Sequence, residues 1–213
     1  MKLLITCLLA IFAFLPKLAA QGSSQVTYTS GLGQRTVFLS DRATAVANGN
    51  AVWIGCFDAG FNVGANQNNP FALIAAWNNY GSTNITTTLG QPGHFNGNST
   101  STDPTFNSQK IYVWIFSTDN NNAPLPDFSN VNEYGLYSAS INSWNFPTAG
   151  AAPPGNSTSI NTTDVNQLYY GTLDPTHLYL QNFNPVPEPS AIGLLGLAIP
   201  AAVLALRRTR SRR

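Results

Sequence analysis

Asp119-Asn120-Asn121-Asn122 is where a calcium loop would be sought, because carboxylate and amide oxygens at alternate positions can wrap a hard cation. The loop pattern then needs a ligand, a glycine and a glutamate where Ala123, Pro124 and Asn130 stand, so a solvated turn is expected instead. There is no Gly-x-Ser-x-Gly elbow, no His-Glu-x-x-His pair and no glycine-rich phosphate loop. Glycoside hydrolysis needs two carboxylates flanking one bond. Nothing in the spacing of Asp41, Asp58, Asp103, Asp119, Asp127, Glu133, Asp164 and Asp174 selects a pair. Cys56 sits among Trp53, Ile54 and Phe57, while His94 and His177 occupy polar, turn-rich stretches. Cys56 therefore reads as a small buried apolar residue rather than an activated thiol. No enzyme activity, no metal and no cofactor are expected.

Tyr112, Trp114 and Phe116 alternate on one side of a strand and offer a different chemistry. Exposed aromatic rings in a row can serve as a platform for sugar faces, which would make the domain an extracellular carbohydrate-binding module. The competing reading places these rings in a second half of the core. Burial of each large ring is worth on the order of 2–3 kcal/mol, and this favours the core.

The elements that carry these residues read as mainly β. Ala51–Asp58 and Lys110–Thr118 alternate with apolar residues on both faces, the pattern of central strands covered on each side. Shorter candidates are 25–29, 36–39, 83–89, 133–138, 143–146, 167–170 and 177–183. Asn69-Pro70 opens one short helix, with Asn69 as cap, Pro70 at the first helical position, Phe71, Ile74 and Trp77 or Asn78 at helical spacing, and Gly81 as its stop. The stretches 91–109 and 149–158 read as loops. The expected fold is a single sandwich or jelly-roll-like domain over residues 21–184, carrying that helix.

Both ends of the chain have their own physics. Lys2, the apolar run Leu3–Leu15, Pro16 and the small-residue exit Leu18-Ala19-Ala20 form a signal peptide over residues 1–20. Signal peptidase and the general secretion machinery are thus expected partners. Residues 185–213 hold Pro187-Glu188-Pro189, an apolar run Ala191–Leu206 and a basic end with Arg207 and Arg208 at its start. At ~1.5 Å per residue the run spans roughly 24 Å, slightly under the ~30 Å hydrocarbon core, and Arg207 and Arg208 can snorkel to close the gap. Pro200, Gly193 and Gly196 weaken it further, so the expected transmembrane helix is a marginal anchor. The arginines stop it on the cytoplasmic side.

This ordered triplet of features, Val186-Pro187-Glu188-Pro189-Ser190, then Ala191-Ile192-Gly193-Leu194-Leu195-Gly196-Leu197, then the arginines, closely resembles the PEP-CTERM sorting signal of Gram-negative bacteria. The resemblance implies recognition by exosortase at Pro187, Glu188 and Pro189, with Arg207 and Arg208 as the membrane stop. It also implies export across the inner membrane, transient anchoring there, and release to the cell surface or extracellular matrix. The blocks at 53–57, 110–116, 134–137 and 144–147 resemble those of other small PEP-CTERM ectodomains, for which no activity is assigned. The extended backbone that Pro187 and Pro189 impose suits the cleft of a processing enzyme.

Charge agrees with an exterior setting. Between the two terminal segments only Arg35, Arg42 and Lys110 are basic, so that region is acidic by about five charges. The overall charge of +1 conceals this split. No basic patch can track a phosphate backbone, and nucleic acid is not an expected partner. Asn, Ser, Thr and Gly take over as the solubilising surface; four Asn-x-Ser/Thr triplets, at Asn84, Asn98, Asn156 and Asn161, are read as loop markers. Extracellular polysaccharide is the partner in the carbohydrate-binding alternative.

Overall fold

The computed structural model describes residues 22–150 and 155–183. The expected signal peptide, the Pro-Glu-Pro motif, the apolar run and the arginine end fall outside them. Twelve strands are described, β1 (Ser24–Ser30), β2 (Thr36–Phe38), β3 (Ala51–Phe57), β4 (Trp77–Thr88), β5 (Gln91–Ser101), β6 (Tyr112–Thr118), β7 (Val131–Ser138), β8 (Asn156–Asn161), β9 (Gln167–Tyr170), β10 (Thr172–Leu173), β11 (His177–Tyr179) and β12 (Gln181–Asn182). Helices are short: α1 (Val63–Asn66), α2 (Pro70–Ala75) and four single 3-10 turns. The protein is mainly β, with two sheets and a β-sandwich-like packing.

The nine-stranded sheet has the order β12-β7-β6-β3-β4-β5-β1-β8, with β9 also on β7; the second sheet is β10-β11-β2. Strand β4 belongs to both halves of the large sheet. Residues 77–84 pair with β3, and Ile85, Thr86 and Thr88 pair with β5. The halves close over one another. Val26, Tyr28, Phe95 and Ile160 from β1, β5 and β8 meet Val52, Ile54, Val113 and Ile115 from β3 and β6 in one core. Two pairings are parallel, β1 with β8 and β2 with β11.

The opposite face of β3, β6 and β7 carries a second core, as the double-sided pattern of β3 and β6 predicts. Trp114, Phe116, Tyr134 and Leu136 pack beneath Leu73 of α2, Val63 of α1 and Phe128 of the β6–β7 connection. Ring centroids there lie 5.4 Å apart for Trp77 and Trp114 and 5.1 Å for Trp114 and Phe116. Both spacings fall in the favourable range for aromatic pairs.

Several sequence expectations are corrected. Asn69 does cap α2, its side chain accepting from Ala72 N–H at 3.1 Å, and Pro70 occupies the first turn. The helix ends at Ala75, however, and Trp77 starts β4. Pairing with Phe57 of β3 outweighs continued helix there. The stretch 91–109, expected as a loop, contains β5, and residues 156–158, also expected as loop, begin β8. The expected strand at 143–146 is instead a 3-10 turn at Asn142–Trp144, followed by a single bridge between Lys110 and Asn145.

Candidate functional site

Strands β3 and β6 run antiparallel, with Gly55 opposite Tyr112. The end of the first strand therefore lies beside the beginning of the second, and a pocket of about 150 Å³ opens there. Asp58 and Phe61 form one wall, Gln109, Lys110 and Tyr112 the other, and Cys56 and Phe57 also border it. A volume of this size is below the few hundred Å³ typical of drug-sized ligands, and suits something small.

Local sequence explains each wall. After β3 the chain reverses at Asp58-Ala59-Gly60-Phe61, where Phe61 N–H donates to the Asp58 carbonyl at 3.0 Å. Gly60 sits at φ 83°, a conformation that costs glycine nothing. Asp58 is fixed from both ends: its N–H donates to Ala76 C=O at 2.9 Å, and Asn78 Nδ2 donates to its Oδ1 at 2.8 Å. On the other wall, Gln109 N–H donates to Phe106 C=O at 3.0 Å and Gln109 C=O accepts from Phe146 N–H at 2.8 Å. Its side-chain amide has no hydrogen-bond partner among the described residues. Lys110 Nζ donates to Gln167 Oε1.

The electrostatics are mixed and nearly balanced. Among the described residues the one contact between a basic and an acidic side chain within 4 Å is that of His177 with Asp174 at 3.3 Å, so Asp58 and Lys110 share the pocket without pairing. Burial pushes the Lys110 ammonium below its ordinary range. Burial, followed by the neighbouring Tyr169, pushes the Tyr112 phenol well above its own. Cys56 is free and buried, and burial together with the charges of Asp58 and Asp103 pushes its thiol up to about 11. At neutral pH it is a thiol and not a thiolate, so it is a poor nucleophile. Neither histidine is available as a base for it. His94 is buried with Nδ1 2.6 Å from Ser30 C=O, and His177 belongs to a turn built around Asp174. The residues lining the pocket hold no nucleophile-and-base arrangement for covalent chemistry.

The other sequence-derived candidates fall elsewhere. Pro187, Glu188, Pro189, Arg207 and Arg208 lie outside the described residues. Trp114 and Phe116 are fully buried, at 0 % exposure each, in the second core. They present no ring face to solvent, and the glycan platform of Tyr112, Trp114 and Phe116 is ruled out as a surface. Only Tyr112 of the three is half-exposed, and it borders the pocket. At the discounted calcium loop, Asp119 accepts from Asn132 Nδ2 at 3.0 Å, and Asn120 and Asn121 adopt φ of 62° and 53°. No group of three or more metal-ligating side chains occurs among the described residues, nor any helix long and apolar enough to cross a membrane.

Asp58, Gln109 and Lys110 were not separated from the other polar residues by sequence. The signal that could have found them is topological. If the two strongest strands are neighbours and antiparallel, the residues just after one and just before the other converge. Compared with known proteins, the chain matches no family model, no curated protein and no solved structure.

Proposed function

We infer that the chain is a non-enzymatic surface or matrix protein, exported through its signal peptide and then processed by exosortase at Pro187–Pro189. The observation that carries this reading is the order of the C-terminal features: a proline-stiffened neck, a short apolar run, and an arginine stop. The ectodomain is read as a single sandwich or jelly-roll-like unit. Phe183 is the last described residue. Its ring lies 6.0 Å from that of Phe128, and its N–H donates to Asn132 C=O at 2.8 Å. Pro187 follows four positions later, so scission at the neck would leave the sheet whole.

Replacement of Glu188 and Pro189 by alanine, with the protein's size and location followed in an exosortase-containing host, tests this. The expected result is a full-length form retained in the inner membrane. Unchanged processing and release would refute it. A second reading, an extracellular carbohydrate-binding module, has lost its platform at Trp114 and Phe116 but is favoured by the pocket between Asp58 and Lys110.

A further inference from the structure

The geometry points to the pocket at the β3–β6 end as a binding site for a single neutral pyranose ring. This rests on the carbohydrate-binding reading and moves it from the aromatic trio to a different set of residues. It is independent of how the C-terminus is processed.

Three observations converge. First, the free valences are those a sugar needs. Asp58 Oδ1 is engaged by Asn78 Nδ2, which leaves Oδ2 as an acceptor without a described partner. The Gln109 amide is open as both donor and acceptor, and Lys110 Nζ, with one bond to Gln167 Oε1, keeps further N–H donors. Each sugar hydroxyl gives one hydrogen bond and takes up to two. A carboxylate, an amide and an ammonium on the residues that line one small pocket are therefore complementary to vicinal hydroxyls.

Second, the apolar part is aromatic. The Phe57 and Phe61 rings are stacked with centroids 5.3 Å apart, and Phe61 is partly buried at the pocket wall it shares with Asp58. The C–H face of a pyranose can cover that ring while its hydroxyls reach the polar wall. Third, charge excludes the simpler ligands. Asp58 and Lys110 offset each other, so the pocket selects neither cation nor anion, and the surrounding acidic domain repels anions. The pocket's volume, about 150 Å³, admits one ring rather than a buried oligomer. A longer glycan would enter by an end or a side branch.

The test is a titration of the full-length, ¹⁵N-labelled chain, held in a zwitterionic detergent without a sugar head. The probes are methyl gluco-, galacto- and mannopyranosides, with sodium phosphate and sodium acetate as ionic controls. At least one pyranoside is expected to shift the amide signals of Gly60, Phe61 and Lys110 saturably. Asp58→Asn and Gln109→Ala should each weaken that binding about tenfold. The Gln109 side chain has no described partner, so Gln109→Ala keeps the test valid even if Asp58→Asn perturbs the turn. Saccharide binding that is unchanged in both variants would overturn the pocket while leaving the carbohydrate reading standing. No pyranoside binding, or shifts with phosphate or acetate alone, would overturn both.

Discussion

Asn50 holds Thr118 by two hydrogen bonds from inside the protein. Its Oδ1 accepts from the Thr118 backbone N–H at 2.8 Å and from Thr118 Oγ1 at 3.2 Å. Its Nδ2 meanwhile donates to Ala47 C=O at 3.0 Å and to Asn121 Oδ1 at 3.1 Å. One buried amide thus ties the entry of β3 to the exit of β6 and fixes the Asn120–Asn121 turn. Asn50→Ala would strand a buried N–H and is expected to cost about 2–3 kcal/mol. Equilibrium denaturation in urea measures it; a loss within experimental error would show that water replaces the amide.

Trp114→Ala should be far more damaging. The ring is fully buried among Trp53, Phe57, Trp77, Phe128 and Tyr134. Emptying its site should cost about 3–5 kcal/mol, seen as a large fall in melting temperature. A near-wild-type melting temperature would contradict the buried placement.

Gly55 has no room for a side chain. A Cβ there would stand 2.7 Å from the Trp77 ring and closer still to the Asn78 carbonyl. It lies where the β3–β4 register shifts, and that close approach of backbones is what glycine permits. Gly55→Ala is expected to cost about 1–3 kcal/mol by overpacking. Thermal unfolding of this single variant checks it, and equal stability would mean that the β3–β4 irregularity relaxes freely.

Acid should loosen the β10–β11 turn. The Tyr179 hydroxyl donates to Asp174 Oδ2 at 2.6 Å, and Thr176 and His177 N–H each donate to Oδ1 at 2.7 Å. These bonds, Tyr179's foremost, hold the Asp174 carboxyl well below its ordinary value of 3.8. Because the folded value is the lower one, the stabilisation is complete above the ordinary value and is lost as pH falls toward the folded value. Asp41 and Asp103, held chiefly by Thr44 and Thr105, add to the same trend. Carboxyl NMR titration of Tyr179→Phe should show Asp174 ionising at higher pH. An unmoved titration would assign the depression to the backbone donors.

Cys56 should be inert in the native fold. With its thiol pushed up to about 11, a Cys7→Ser chain is expected to react with a disulfide reagent at pH 8 only on unfolding. Rapid native labelling would show that the pocket floor opens.

Legibility from sequence followed how much apolar signal each element carries itself. β3 and β6 declare themselves because they are buried on both faces. The sandwich-like class follows from them. β5 is hidden because Phe95 is its main inward anchor. At Gly97 the β1 residue Tyr28 fills the space a side chain would take, and at Gly93 the Val37 backbone does so. β8 has a single inward apolar residue, Ile160, and owes its existence to β1. The end of α2 was obscured because Trp77 fits a helical face as well as a strand, and only its pairing with β3 decides. The pocket was invisible for a related reason: Asp58 and Lys110 converge through strand pairing, which no local pattern records.

Because Ser24 finds its neighbour in Asn156, and Thr36 finds His177, the earliest strands wait for the latest. Such distant partners make assembly slow. A chain growing from its N-terminus holds β1 without a neighbour on one side, and folding closes only when almost the whole domain is present. The same stitching makes the finished domain hard to unravel from either end.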